Sequence, residues 1–72
     1  MNNLNMAKIQ LNGDSYEIIK GTNLNELLGK LKIQKNKVAI EVNGEIVEKN
    51  KYPNLILNDK DKVEIVQFIG GG

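Results

Sequence analysis

The chain has 72 residues, of which 40% are apolar and 26% charged, with ten lysines, no arginine and nine acidic residues giving a formal charge of +1. This is enough for one small domain, which buries only about 60% of the surface its unfolded chain exposes, and charges of both signs are interleaved, so no run marks a nucleic-acid or membrane surface. The absence of Cys and His excludes disulfides, thiolate chemistry, soft metal ligands and a neutral-pH imidazole base.

Met1 to Asn5 has no periodicity and reads as an extension preceding the fold. It lacks the basic and apolar regions of a secretory signal, and nothing in the chain nears the ~20 apolar residues of a membrane span, so a cytoplasmic location is expected. From Met6 the chain reads as structured. Ala7, Ile9 and Leu11 alternate with Lys8 and Gln10, Asn12-Gly13-Asp14 supplies a turn that tolerates positive φ, and Tyr16 and Ile18 resume the alternation, which predicts a β-hairpin. After Gly21, Thr22 is the expected N-cap of a helix whose Leu24, Leu27, Leu28 and Leu31 fall on one stripe. Lys30 and Lys32 suit the negative helix end, and Gly29 within it costs about 0.5–1 kcal/mol relative to Ala.

Gln34 to Lys37 is a polar connection to a strand over 38–42, and Asn43-Gly44 is the strongest hairpin-turn signal in the chain, predicting a return strand over 45–48. Asn50 to Asn54 contains Pro53, which lacks the donor a central strand needs, while Leu55, Ile56 and Leu57 are expected to tuck under the core. A polar turn over 58–61 precedes a last strand over 62–69, with Val63 and Ile65 on one face and Glu64, Val66 and Phe68 on the other. The order strand, strand, helix, strand, short strand, strand predicts an α+β fold with one helix on a four- to five-stranded mixed sheet. The predicted organisation is an extension over 1–5, a domain over 6–69 and a tail over 70–72.

The polar motifs favour structural roles. Asn58-Asp59-Lys60-Asp61 lacks the Gly and the bidentate Glu of a calcium loop, so a turn is expected and no bound metal. No glycine-rich phosphate motif occurs. Glu45 and Glu48 flank an exposed hairpin, with no apolar pocket to make them an acid/base pair. Ser15 and Thr22 are the sole hydroxyls of their types, and neither has an imidazole to activate it. The chain is therefore not expected to be an enzyme by itself.

What remains is Gly70-Gly71-Gly72. A glycine run is commonly a frayed end or a linker, but here it follows an apolar strand whose outward residues form a patch at its root. Three residues without Cβ atoms can lie in a narrow groove and carry the Gly72 carboxylate into another protein's active site. Val66, Phe68 and Ile69 are the candidate docking residues, although a twist or bulge at the strand end could turn Phe68 or Ile69 back into the core.

Three segments carry a family resemblance: Gly21-Thr-Asn-Leu-Asn-Glu-Leu-Leu28, Val38-Ala-Ile-Glu-Val-Asn-Gly-Glu-Ile-Val47, and Asp61-Lys-Val-Glu-Ile-Val66 running into the triglycine end. With these, Met6 to Gly72 resembles the ubiquitin-like β-grasp sulfur carriers, most closely the family of the thiamin (thiazole) pathway. The resemblance implies an adenylating, E1-like partner that uses ATP and magnesium to activate the Gly72 carboxylate, with Gly70 and Gly71 in the partner's channel. It further implies a sulfur donor such as a cysteine desulfurase system, a thiocarboxylate at Gly72, and thiazole synthase as the acceptor. This chain would be a cosubstrate that binds no cofactor, a monomer when free. Carriers for molybdopterin or tRNA thiolation share the chemistry, and a ubiquitin-like protein modifier shares the tail.

Overall fold

The computed structural model describes residues 5–68. Met1 to Leu4 of the expected extension, and Ile69 with Gly70, Gly71 and Gly72, lie outside the described residues. Strands β1 (Met6–Leu11) and β2 (Asp14–Ile19) are followed by helix α1 (Leu24–Leu31), a 3-10 turn (Lys35–Lys37), β3 (Val38–Val42), β4 (Glu45–Ile46), a 3-10 helix (Lys49–Asn54) and β5 (Lys62–Gln67). The five strands form one mixed sheet in the order β2-β1-β5-β3-β4. Hairpin β1/β2 lies on one side of β5 and hairpin β3/β4 on the other; β5 runs parallel to β1 and antiparallel to β3. This is the expected helix-on-sheet architecture.

Both hairpins turn through Asn-Gly pairs with positive φ at each position, 50° and 89° at Asn12 and Gly13, 53° and 86° at Asn43 and Gly44. Two successive left-handed residues give the type I′ turn whose twist matches the strands it joins. The same asparagines also reach the central strand. Asn12 Oδ1 accepts from the Ile65 N–H at 2.7 Å and its Nδ2 donates to the Ile65 carbonyl at 3.3 Å. Asn43 Oδ1 accepts from the Lys62 N–H at 2.9 Å, while Nδ2 donates to Asp61 Oδ1 at 3.0 Å. Each turn is thereby fastened to β5 by a side-chain amide acting as a strand residue.

The core lies between α1 and one face of the sheet: Ala7, Ile9, Ile18, Val38, Ile40, Val63 and Ile65 from the strands, Leu24, Leu27 and Leu28 from the helix, with Tyr52 and Leu57 closing one end. Burying each large aliphatic side chain contributes about 1.5–3 kcal/mol, which explains why a chain without disulfides can hold this fold.

Three local expectations are corrected. The N-cap is Asn23, not Thr22: Asn23 Oδ1 accepts from the Glu26 N–H at 2.8 Å and Glu26 Oε1 accepts from the Asn23 N–H at 2.9 Å, a reciprocal capping box. Thr22 is buried one residue earlier and its hydroxyl donates to the Ile19 carbonyl. Second, Leu55 to Leu57 do not all tuck inward. The segment is extended and pairs with the entry to α1, Leu24 N–H donating to Leu55 O and Leu57 N–H to Thr22 O, so alternation buries Leu57 and leaves Ile56 47% exposed. Third, β4 ends at Ile46 because the 3-10 helix starts at Lys49; one further bond, Val47 N–H to Ile40 O, continues the pairing. At the other end of the domain, Asn5 accepts from the Lys20 N–H at 2.8 Å, so pairing with the chain after β2 begins one residue before β1.

Two consequences for stability can be measured by denaturant unfolding. Asn12→Gly keeps the positive φ but removes both bonds to Ile65, and should cost about 1–3 kcal/mol; Asn12→Ala adds left-handed strain and should cost about 1 kcal/mol more. Equal losses in the two variants would show that the backbone conformation at Asn12 is not a constraint. Tyr52 is fully buried, yet its hydroxyl has no hydrogen-bond partner among the described residues, so Tyr52→Phe should leave stability unchanged or raise it by about 1 kcal/mol. Burial pushes the Tyr52 phenol above its usual value of 10.0, so the folded state holds this proton more tightly than the unfolded chain. Its contribution is complete below pH ~10 and is lost as pH rises beyond that. Tyr52→Phe should reduce the alkaline loss of stability, and an identical pH profile in the two proteins would refute this.

Candidate functional site

Several reactive groups among the described residues are committed to structural bonds. The Thr22 hydroxyl is bonded to a carbonyl. Asp61 accepts from Asn43 Nδ2 through one oxygen and from the Asn58 N–H through the other, and Asp59 accepts from the Lys8 N–H at 2.8 Å. These carboxylates hold the turn before β5 against β1 and β3, and no group of three or more potential metal ligands occurs among the described residues. A cavity of about 650 Å³ opens between β4 and the segment before β5 and is lined by Ile46, Val47, Leu55 and Ile56 with Glu45 and Glu48. Ser15, the remaining hydroxyl nucleophile, is exposed on edge strand β2, far in the sheet order from that cavity.

The distinctive surface lies instead at the end of β5. The period of two along the strand buries Val63 and Ile65 against α1 and sends Val66 and Phe68 outward, 59% and 56% exposed. Val66 stands opposite half-buried Ala39 on β3. Ile46, 74% exposed, is paired with Glu41 and shares this outer face. Beside the apolar group, Glu41 and Glu64 oppose each other across β3 and β5, an arrangement of like charges that weakens strand pairing slightly. The sheet thus carries a small apolar surface with an acidic border on one side.

The other border is basic. The Phe68 N–H donates to the Lys37 carbonyl at 2.9 Å, extending the β3/β5 ladder one residue past β5. Lys49, at the start of the 3-10 helix, donates from Nζ to the Val38 carbonyl at 2.8 Å, and the same ammonium stands 5.8 Å from the centroid of the Phe68 ring, within cation–π range. A pocket of about 300 Å³ next to the ring is lined by Lys32, Ile33, Lys37 and Gln67. Of the docking residues read from the sequence, Val66 and Phe68 therefore lie together on the outer face, and Phe68 does not turn back into the core. Ile69, Gly70, Gly71 and Gly72 are outside the described residues. Lys49 and Ala39 escaped sequence reading. Lys49 lies 19 residues from Phe68, and one lysine among ten carries no local signal for such a contact.

The ThiS family profile matches residues 9–72. The chain belongs to the ThiS family of β-grasp sulfur carriers. Among similar proteins, the sulfur carrier protein ThiS of Bacillus subtilis is 38% identical over 65 residues, covering 89% of this chain and 98% of that one. The crystal structure of a ThiS thiamine biosynthesis protein from Geobacter metallireducens superposes with a TM-score of 0.78 at 34% identity, covering 90% of this chain and 99% of that one. A thiazole synthase of Paramagnetospirillum magneticum is 45% identical over 65 residues, covering 90% of this chain. The chain spans about a fifth of the length of that synthase and of a second one, from Magnetococcus marinus. ThiS-family membership accords with the helix-on-sheet fold. No helix among the described residues is long and apolar enough to cross a membrane.

The two faces of β5 should respond oppositely to truncation. Val66→Ser and Phe68→Ser should each change unfolding free energy by no more than about 0.5 kcal/mol, whereas Ile65→Ala, in the same strand but on the core face, should cost about 2–5 kcal/mol. A loss above about 2 kcal/mol for Val66→Ser would mean that this face is part of the folding core.

Proposed function

We propose that this chain is a sulfur carrier of thiamin biosynthesis, working in the cytoplasm as a cosubstrate, and that the carried sulfur is held at the carboxylate of Gly72. The observation that carries the reading is the family match over residues 9–72, which includes the glycine end. It is supported by the exposed apolar surface of Val66 and Phe68 at the root of that end. A carboxylate is a poor acyl donor until one oxygen becomes part of a good leaving group. An adenylating partner joins the Gly72 carboxylate to the α-phosphate of MgATP, releasing pyrophosphate. The terminal sulfur of a persulfide, from a donor such as a cysteine desulfurase system, then attacks the carbonyl carbon and AMP departs with the oxygen. A thiol reduces the resulting acyl disulfide, leaving a thiocarboxylate on Gly72.

Each part of the chain has a role in this reading. Gly72 offers the least hindered carbonyl available to a nucleophile, Gly70 and Gly71 thread the partner's channel, and Val66, Phe68 and Ile69 dock the body against the adenylating enzyme. Binding energy from an apolar dock gives specificity to a chain with no catalytic group of its own. Thiazole synthase is the proposed acceptor, supported by the two thiazole synthases whose sequences each include a segment similar to 90% of this chain. That combination in one polypeptide favours the thiamin pathway over the molybdopterin and tRNA-thiolation alternatives.

Incubation with the adenylating enzyme, MgATP and a sulfur source should shift the intact mass by the replacement of one oxygen with sulfur. An unchanged mass, in a system that loads the Bacillus carrier, would sink the reading. One residue added after Gly72 should abolish loading without altering the fold; loading that survived the extension would exclude the Gly72 carboxylate as the carrier group.

A further inference from the structure

Lys49 joins the start of β3, the start of the 3-10 helix and Phe68, the last described residue before the glycine end. Its ammonium donates to the Val38 carbonyl at 2.8 Å and lies 5.8 Å from the centre of the Phe68 ring. The Phe68 backbone is fixed independently by its N–H bond to Lys37. The backbone bond holds the residue, but it leaves the ring free to choose a rotamer. A phenylalanine that is 56% exposed at a strand end has little packing of its own to fix its ring. The ammonium restricts that freedom, because a charge anchored to a carbonyl attracts the negative face of the ring to one position. The contact uses a part-buried hydrogen bond, so it loses less to solvent than a free lysine would.

We infer that Lys49 is a positioning residue for partner docking: it holds the Phe68 ring on the outer face beside Val66, and so presets the surface that meets the adenylating enzyme. The inference rests on the docking role given to Val66 and Phe68 above. Preorganising a side chain raises affinity by avoiding the cost of ordering it on binding, so the effect belongs in the apparent affinity for the partner and not in the chemistry at Gly72. Lys49→Met keeps the apolar stem and removes the charge. Lys49→Arg keeps a donor for Val38 and a cation that can stack on the ring.

In adenylation assays with the complete chain, the purified adenylating enzyme and MgATP, Lys49→Met should raise the KM for the carrier by about three- to fivefold with kcat unchanged, and Lys49→Arg should stay within about twofold of wild type. In a Phe68→Leu background the same Lys49→Met change should shift KM by less than about twofold, because the ring through which Lys49 acts is gone. An equal shift with and without the ring, or no shift at all, overturns the positioning role while leaving the carrier reading intact. In the free protein, NMR should show a nuclear Overhauser contact between the Lys49 ε-methylene and the Phe68 ring; its absence overturns the inference without reference to any partner. A wild-type chain that shows this contact but is not adenylated overturns the carrier reading and with it the role assigned to Lys49.

Discussion

The fold depends on the insertion of β5 between two hairpins that are not otherwise joined in the sheet. Hairpin β1/β2 and hairpin β3/β4 form by local turns, but neither can bury its apolar face alone. The last strand completes both ladders, parallel to β1 and antiparallel to β3. Its hold comes from backbone pairing and also from Asn12 and Asn43, the turn residues whose amides bond to Ile65 and Lys62. One residue type thus serves two physical purposes, since Asn tolerates the left-handed conformation of each turn and its side-chain oxygen accepts from a backbone N–H of β5.

Placing the last strand at the centre has a functional consequence. β5 is paired on both edges where it begins and on one edge where it ends. β5 extends past Leu11, where β1 ends, and its final outward residues, Val66 and Phe68, are supported by β3 alone, with Ala39 opposite the first and Lys37 bonded to the second. The exposed apolar surface therefore sits where the chain emerges toward its glycine end, between acidic Glu41 and Glu64 and the lysines around Phe68. An interface that combines an apolar centre with charged borders selects orientation as well as partner.

The same arrangement accounts for a protein with so little chemistry in its folded body. Its hydroxyl at Thr22 and its carboxylates at Asp59 and Asp61 are used to close turns and fix the helix entry. The one described group whose ionisation is visibly displaced, the Tyr52 phenol, is shifted by burial and lies in the core. A carrier needs a rigid body that presents a recognisable face and a slim end that another active site can accept. In the proposed cycle all bond making occurs at Gly72, and the residues of the body act by recognition.

Much of this was legible along the chain because it depends on local periodicity. The alternation of Ala7, Ile9 and Leu11, the Leu24, Leu27, Leu28 and Leu31 stripe, the two Asn-Gly turns and the division of Val63 and Ile65 from Val66 and Phe68 all follow from side-chain direction within one element. The helix entry was misread by one residue because Thr22 and Asn23 can both cap, and the choice fell to Asn23 when its amide and Glu26 could satisfy each other's backbone while Thr22 turned to Ile19. Ile56 was misplaced because three consecutive apolar residues do not reveal that their backbone will be extended and alternate. By itself, then, the sequence determined the five strands, the helix and the face each strand buries. Only the tertiary structure decided that Asn12 and Asn43 fasten the central strand and that Lys49 reaches Phe68, because contacts across tens of residues depend on which segments the fold brings together, and no local pattern encodes that distance.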